Sequence, residues 1–128
     1  MDVKLAVEQL AALAQETRLN AFRLLLERGQ EGVPATEIAE TLGVRQNLMS
    51  SHLGALARSG LTTTRRDGRR VYHAIDFEAT RDLLVYLISE CCAGDPAKCV
   101  PMVQDVLAAS GRVLDEESRR TIRKKLSA

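Results

Sequence analysis

Apolar positions along the first half of this chain recur at helical spacing. Val3, Leu5, Ala6, Leu10, Leu13 and Ala14 lie close to a 3.6-residue period and predict a helix over residues 3–15. Thr17 is the expected N-cap of a second helix, Arg18 to Arg28, stopped by Gly29. Its expected core residues are Leu19, Phe22, Leu25 and Leu26. Residues 30–34 read as a loop. A short helix at 35–42 turns Ile38, Ala39 and Leu42 inward, and Gly43-Val44-Arg45 makes a turn. A longer helix follows from Asn47 to Ser59, with a buried stripe of Met49, Leu53 and Leu56 and with Ala57 beside it.

The period then changes. Residues 61–66 and 70–75 are strand-like, rich in threonine with Val71 and Ile75, and Asp67-Gly68 between them is a hairpin signal. Asp76 caps a helix from Phe77 to Cys92 whose apolar stripe is Leu83, Leu84, Leu87, Ile88 and Cys91. Pro101 to Ala109 reads as a short helix ended by Ser110-Gly111. A last helical stretch begins near Asp115, with acids first and Arg119, Arg120, Arg123, Lys124 and Lys125 last, the order favoured by the helix dipole. That basic end reads as a solvated helix end, with contact to DNA as the alternative.

Two helices joined by a short Gly-containing turn form a helix-turn-helix, and a basic hairpin after it makes a winged helix. The expected fold is therefore mainly α with a β-hairpin wing. A domain this small cannot cover the stripes of its first and last long helices, so these are expected to meet a second copy in a dimer. Residues 1–92 read as the DNA-binding and dimerisation domain, and residues 93–128 as a helical C-terminal extension.

Composition fits this reading. The chain has 128 residues, 45% hydrophobic and 27% charged, which suits one folded domain. No apolar run approaches the length of a membrane span, and Met1-Asp2-Val3-Lys4 opens without a signal peptide's apolar core. The expected location is the cytoplasm, where thiols stay reduced. Net charge is only +1, yet residues 43–73 carry Arg45, Arg58, Arg65, Arg66, Arg69 and Arg70 against Asp67 alone. That segment is +5 and the remainder −4. A basic stretch in an otherwise acidic chain is the footprint of a nucleic-acid-binding face. Gln46, Asn47, Ser50, Ser51 and His52 lie on the outward side of the longer helix, where amide, hydroxyl and imidazole groups suit base edges and phosphates. The same residues also serve as ordinary helix caps. Arg66, Arg69 and Arg70 at the hairpin would reach the DNA backbone or minor groove.

All three cysteines fall in one run, Cys91 to Cys99 (CCAGDPAKC). Three soft thiolates favour thiophilic ions over magnesium, calcium or manganese. Both histidines, His52 and His73, lie far upstream, so a tetrahedral Cys/His zinc site is not spelled out. Trivalent arsenic or antimony, which is three-coordinate, suits Cys91, Cys92 and Cys99 alone. Packing of small apolar thiols, a redox bridge from either neighbour to Cys99, and cadmium or lead binding are the competing readings. A bridge between Cys91 and Cys92 is disfavoured, because adjacent Cα atoms are about 3.8 Å apart and unstrained disulfides want roughly 4.4–6.8 Å. A thiol enzyme is disfavoured too: no base lies near the cysteines in sequence, and no Cys-x-x-Cys motif is present. No organic cofactor is expected.

Five stretches resemble the ArsR/SmtB family of metalloregulatory repressors: Ala12–Leu19 (ALAQETRL), Ile38–Val44 (IAETLGV), Gln46–Leu53 (QNLMSSHL), Leu56–Leu61 (LARSGL) and Arg66–Tyr72 (RDGRRVY). Together the resemblance covers residues 5–92. It implies a homodimeric winged-helix repressor that leaves double-stranded operator DNA when an inducer ion binds. Of the metal sites this family uses, a Cys-Val-Cys site before the recognition helix has no counterpart, because residues 35–40 contain no cysteine. A zinc site of Asp and His pairs on the last dimer helix is likewise absent, because residues 76–90 contain no histidine. Cys91, Cys92 and Cys99 are similar to a third arrangement, that of arsenic-responsive members. The extension after Val100 has no counterpart in the general family pattern.

Overall fold

The computed structural model describes residues 1–88, 96–109 and 120. Two compact units divide the chain, Met1–Tyr86 and Leu87–Ala128. The first contains α1 (Val3–Leu13), α2 (Glu16–Arg28), β1 (Val33–Pro34), α3 (Ala35–Leu42), α4 (Gln46–Arg58), β2 (Thr62–Asp67), β3 (Arg70–Ile75) and most of α5 (Phe77–Ile88). The second contains α6 (Pro96–Ala109). The three strands form one antiparallel sheet in the order β1-β3-β2.

The core gathers where α2, α3 and α4 meet the base of this sheet. Leu25, Val33, Ile38, Met49, Leu53, Leu56 and Leu61 are fully buried there. Both helix periods read from the sequence hold for α3 and α4, with Leu42 half-buried at the end of its stripe. The turn between them is a Schellman closure. Val44 N–H donates to Ala39 O at 3.0 Å, Gly43 N–H donates to Glu40 O at 3.2 Å, and Gly43 sits left-handed at φ 66°.

Several boundaries differ from the sequence reading. The α2 N-cap is Gln15, whose Oε1 accepts from Arg18 N–H at 2.8 Å, so the helix starts at Glu16 and Thr17 lies inside it. The buried face of α2 is Ala21, Phe22, Leu24 and Leu25, while Leu19 and Leu26 stay exposed. The Leu24-Leu25-Leu26 run offers two faces, and packing against α3 and α4 selects the one centred on Leu25. The expected loop at 30–34 contains β1, which pairs Val33 with His73 and Pro34 with Tyr72. The short helix expected from Pro101 starts earlier: α6 begins at Pro96 and carries Cys99 in its first turn. Proline suits that first position, where a helix lacks an intrahelical N–H bond anyway.

The first helix is rotated in an informative way. Its inward residues are Ala6, Gln9 and Ala12, and its larger apolar residues, Val3, Leu5, Val7 and Leu10, face out. In α5, capped by Asp76 through Ala79 N–H at 3.0 Å, only Leu83 is buried. Leu84, Val85 and Leu87 are each at least half exposed. The extension of this helix to Cys92, and the helix expected from Asp115 apart from Arg120, lie outside the described residues.

Candidate nucleic-acid interface

Helix α4 has one face committed to the core, which fixes what the other presents. Met49, Leu53 and Leu56 are buried. At 100° per residue, the stripe opposite them is Asn47, Ser51, Gly54 and Arg58. Ser50 flanks it on one side and Leu48 on the other, while Gln46, in line with the edge of the buried face, is exposed as the first residue of the helix. Gln46, Asn47, Ser50 and Ser51 are exposed as expected, and Leu48 is 50% exposed. Gln46, Ser50 and Ser51 make no side-chain hydrogen bond among the described residues. Asn47 is partly used as a cap, since its Oδ1 accepts from Leu48 N–H at 2.9 Å. Its amide N–H groups remain free to donate.

His52 differs from its neighbours. It is half-buried, and its Nδ1 lies 3.3 Å from Arg18 Nη1. Arg18 also donates through Nε to Ala12 O at 2.6 Å. A guanidinium has donors only, so Nδ1 must accept and the remaining ring donor is Nε2–H. His52 is thus held from α2 and has one group left for a ligand.

The exit of α4 into the wing is locked by polar contacts. Ser59 Oγ donates to Leu56 O at 2.7 Å and accepts from Leu61 N–H at 3.4 Å. Gln9, buried at 2% exposure, donates through Nε2 to Ser59 O at 3.1 Å. Helix α1 therefore holds the end of α4 and the start of β2. Nothing in the apolar pattern marks Gln9 for this role.

The wing is the β2–β3 hairpin. Asp67 is the last residue of β2 and pairs with Arg70, so the two-residue loop is Gly68-Arg69, one position beyond the expected Asp67-Gly68. Gly68 has φ 63°, as a tight primed turn requires at its first loop residue. The arginines divide into two groups. Arg65 belongs to the fold: its guanidinium lies 4.5 Å from the centre of the Tyr72 ring, its cross-strand partner, and Nη2 donates to Glu31 O at 3.3 Å. Arg66, Arg69 and Arg70 are exposed and make no ion pair or hydrogen bond among the described residues. Unneutralised cations on a protruding hairpin suit phosphate contacts.

His73 in β3 has a different role. It is 7% exposed, its Nδ1 has no partner among the described residues, and burial lowers its pKa from the ordinary 6.5. It is part of the sheet's packing.

Of the expected ion ligands, Cys91 and Cys92 lie outside the described residues, and Cys99 is described only as a backbone position in α6. Among the described residues, no three His, Cys, Asp or Glu side chains gather as a metal site, and no helix is long and apolar enough to cross a membrane.

The helix-turn-helix, the basic hairpin and the exposed polar stripe define a winged helix-turn-helix protein. A family model described as a helix-turn-helix domain matches residues 13–65. The chain is 33% identical over 86 residues to a probable mercury resistance operon repressor from Streptomyces lividans, covering 67% of this chain and 65% of that protein. Among solved structures, HlyU from Vibrio cholerae is 30% identical, covers 68% of this chain and 97% of its own, and superposes with a TM-score of 0.54. A possible transcriptional regulator for arsenical resistance is 29% identical, covers 64% and 82%, and has a TM-score of 0.56. The chain belongs to the ArsR/SmtB family of winged-helix transcriptional regulators. It spans just under two thirds of the length of the curated relatives it matches, 65% and 62% for the first two.

Proposed function

We propose that this chain is a cytoplasmic transcriptional repressor that binds double-stranded operator DNA as a homodimer and releases it when trivalent arsenic or antimony binds. The observation that carries the DNA-binding half is the unpaired set Arg66, Arg69 and Arg70 on the hairpin that follows directly from α4, whose polar stripe faces out. Gln46, Asn47, Ser50, Ser51 and the Nε2–H of His52 read bases, while the wing arginines hold phosphates. The exposed apolar residues of α1 and α5 supply the surface for the second copy. Recognition helices in a dimer must meet half-sites about one helical turn, roughly 34 Å, apart.

The inducer half rests on the chemistry of Cys91, Cys92 and Cys99, three soft donors within nine residues. Arsenious acid condenses with three thiols: three As–S bonds replace three As–O bonds, each thiol proton leaves with a hydroxyl, and three waters are released. Relatives named for mercury and arsenical resistance support a thiophilic inducer. Cys91 and Cys92 stand three and four residues past the end of α5 in sequence, so ion binding there would act through the chain that continues from the dimer helix. A change in the spacing of the two recognition helices then costs operator affinity, and a coupling of about 1–3 kcal/mol corresponds to a 5–150-fold loss. Residues 93–128 form the extension that completes the thiol set.

The test is release of the full chain from its promoter DNA across arsenite, antimonite, cadmium, lead, mercury and peroxide. Release by arsenite and antimonite supports the reading. Release by cadmium, lead or mercury alone would reassign the ion, and release by peroxide alone would make the thiols a redox sensor.

A further inference from the structure

The outward stripe of α4 ends in a residue that neither the wing nor the capping pattern accounts for. Arg58 is exposed on the last turn of α4 and makes no ion pair or hydrogen bond among the described residues. A basic residue there would ordinarily serve the helix's C-terminal carbonyls. Here Ser59 Oγ already serves Leu56 O, and the guanidinium points the other way. It folds back one turn and lies over Gly54: a Cβ built on Gly54 would fall 3.1 Å from Arg58 Nη1 and 4.0 Å from Cζ. Side chains on a helix lean toward its N-terminus, so residue i naturally covers the turn at i−4. The missing Cβ at position 54 lets the long side chain lie flat along the helix. The charge is thereby carried onto the same stripe as Asn47 and Ser51, and no acid lies within α4 to neutralise it.

We propose that Arg58, laid along the recognition helix by Gly54, is a further DNA-contacting residue that grips a backbone phosphate at the edge of the major groove. This rests on the DNA-binding reading above and adds a contact and its positioning device. The N-terminal residues of a recognition helix reach base edges, while groups further along it meet the flanking strand. A guanidinium held near Gly54 lies in that second zone. Glycine in a helix interior is otherwise unfavourable, and here it keeps the surface of α4 clear under the guanidinium.

The test is affinity against salt concentration for a fluorescein-labelled duplex of mixed sequence, using the full chain and the variants Arg58→Ala, Gly54→Ala and the double variant. Arg58→Ala should flatten the slope of log affinity against log salt by about 0.9 and weaken binding roughly five- to tenfold at 0.1 M salt. Gly54→Ala should fold with equal or higher thermal stability, because the atom it meets is the far end of a flexible side chain. It should still bind more weakly than the wild type. The double variant should match Arg58→Ala alone. An unchanged salt slope in Arg58→Ala overturns the phosphate contact. Equal losses from Gly54→Ala with and without Arg58 overturn the positioning role. Absence of binding by the wild-type chain would instead reject the DNA-binding reading itself.

Discussion

Arg18 Nη1 lies 3.3 Å from His52 Nδ1, and the same guanidinium donates through Nε to Ala12 O. One residue of α2 thus ties the C-terminal end of α1 to the middle of the recognition helix. Arg18→Ala should cost about 1–3 kcal/mol in a urea or thermal unfolding series, the range for a lost charged hydrogen bond that leaves buried Ala12 O and half-buried His52 without a partner. Arg18→Lys should recover little, because an ammonium lacks the rigid fork that spans two acceptors. Unfolding curves that superpose on the wild type would show that the contact contributes nothing.

The wing gives a second expectation. Arg69→Ala combined with Arg70→Ala should weaken binding to operator and random DNA alike and reduce the salt slope by about 1.8, two phosphates' worth of counterion release. Arg65→Ala should behave differently. It loses the stack on Tyr72 and the bond to Glu31 O, so stability should fall more than the salt slope changes. A slope unchanged in the Arg69/Arg70 double variant removes the wing tip from the interface.

These contrasts mark where the sequence was readable. The α3–turn–α4 unit was legible because Met49, Leu53 and Leu56 admit one helical register and Gly43 one kind of turn. The hairpin was legible because threonines and Val71 flank a glycine turn, although the loop itself falls one residue later. Strand β1 was not legible: two residues ending in a proline carry no period, and the strand exists only through its pairing with His73 and Tyr72. The face of α1 was hidden for a different reason. Its inward residues are small or polar, Ala6, Gln9 and Ala12, so reading the largest apolar residues as core points to the wrong side. At the hairpin, the sequence separates Arg66, Arg69 and Arg70 from Arg65 but does not show where the Arg65 side chain goes. Only the cross-strand register shows Arg65 on Tyr72, and only the missing Cβ at Gly54 shows where Arg58 lies.

Base readout should reside on the free polar groups of the first turns of α4. Gln46→Ala is expected to relax sequence preference by about 1–3 kcal/mol if its amide makes a bidentate base contact, and Ser50→Ala by less. Competition binding between operator and scrambled duplexes measures this directly. Equal losses on both duplexes would make these residues phosphate contacts.

Stability should depend on His73 in acid. Burial lowers its pKa below the ordinary 6.5, so the folded state favours the neutral ring. Above 6.5 the ring is neutral in both folded and unfolded chains and costs nothing. As pH falls below 6.5, the unfolded chain takes up the proton first and stability is lost, until the lower folded-state pKa is passed. His73→Leu should flatten this dependence in urea titrations run between pH 7.5 and 5, a window of roughly one unit above to one and a half below the ordinary value. A variant that keeps the wild-type pH dependence would place the acid sensitivity elsewhere.

The thiols carry the last expectation. Replacing Cys91, Cys92 or Cys99 singly by Ser should leave operator binding nearly intact, because the three positions lie beyond the helix-turn-helix and wing in sequence. Arsenite-driven release should weaken in each, since serine is a hard donor that stays protonated near neutral pH and each change removes one soft ligand. Gel shifts on the full chain, with arsenite titrated against a fixed duplex, separate the readings. Loss of response in the Cys91 and Cys92 variants alone would indicate two thiolates and so favour a methylated arsenical, which leaves only two bonds to fill. A Cys91→Ser protein that loses stability and DNA binding together would show that this thiol packs the dimer helix. If all three variants release DNA as the wild type does, the three-thiolate site is wrong, and the inducer must be sought at groups other than these cysteines.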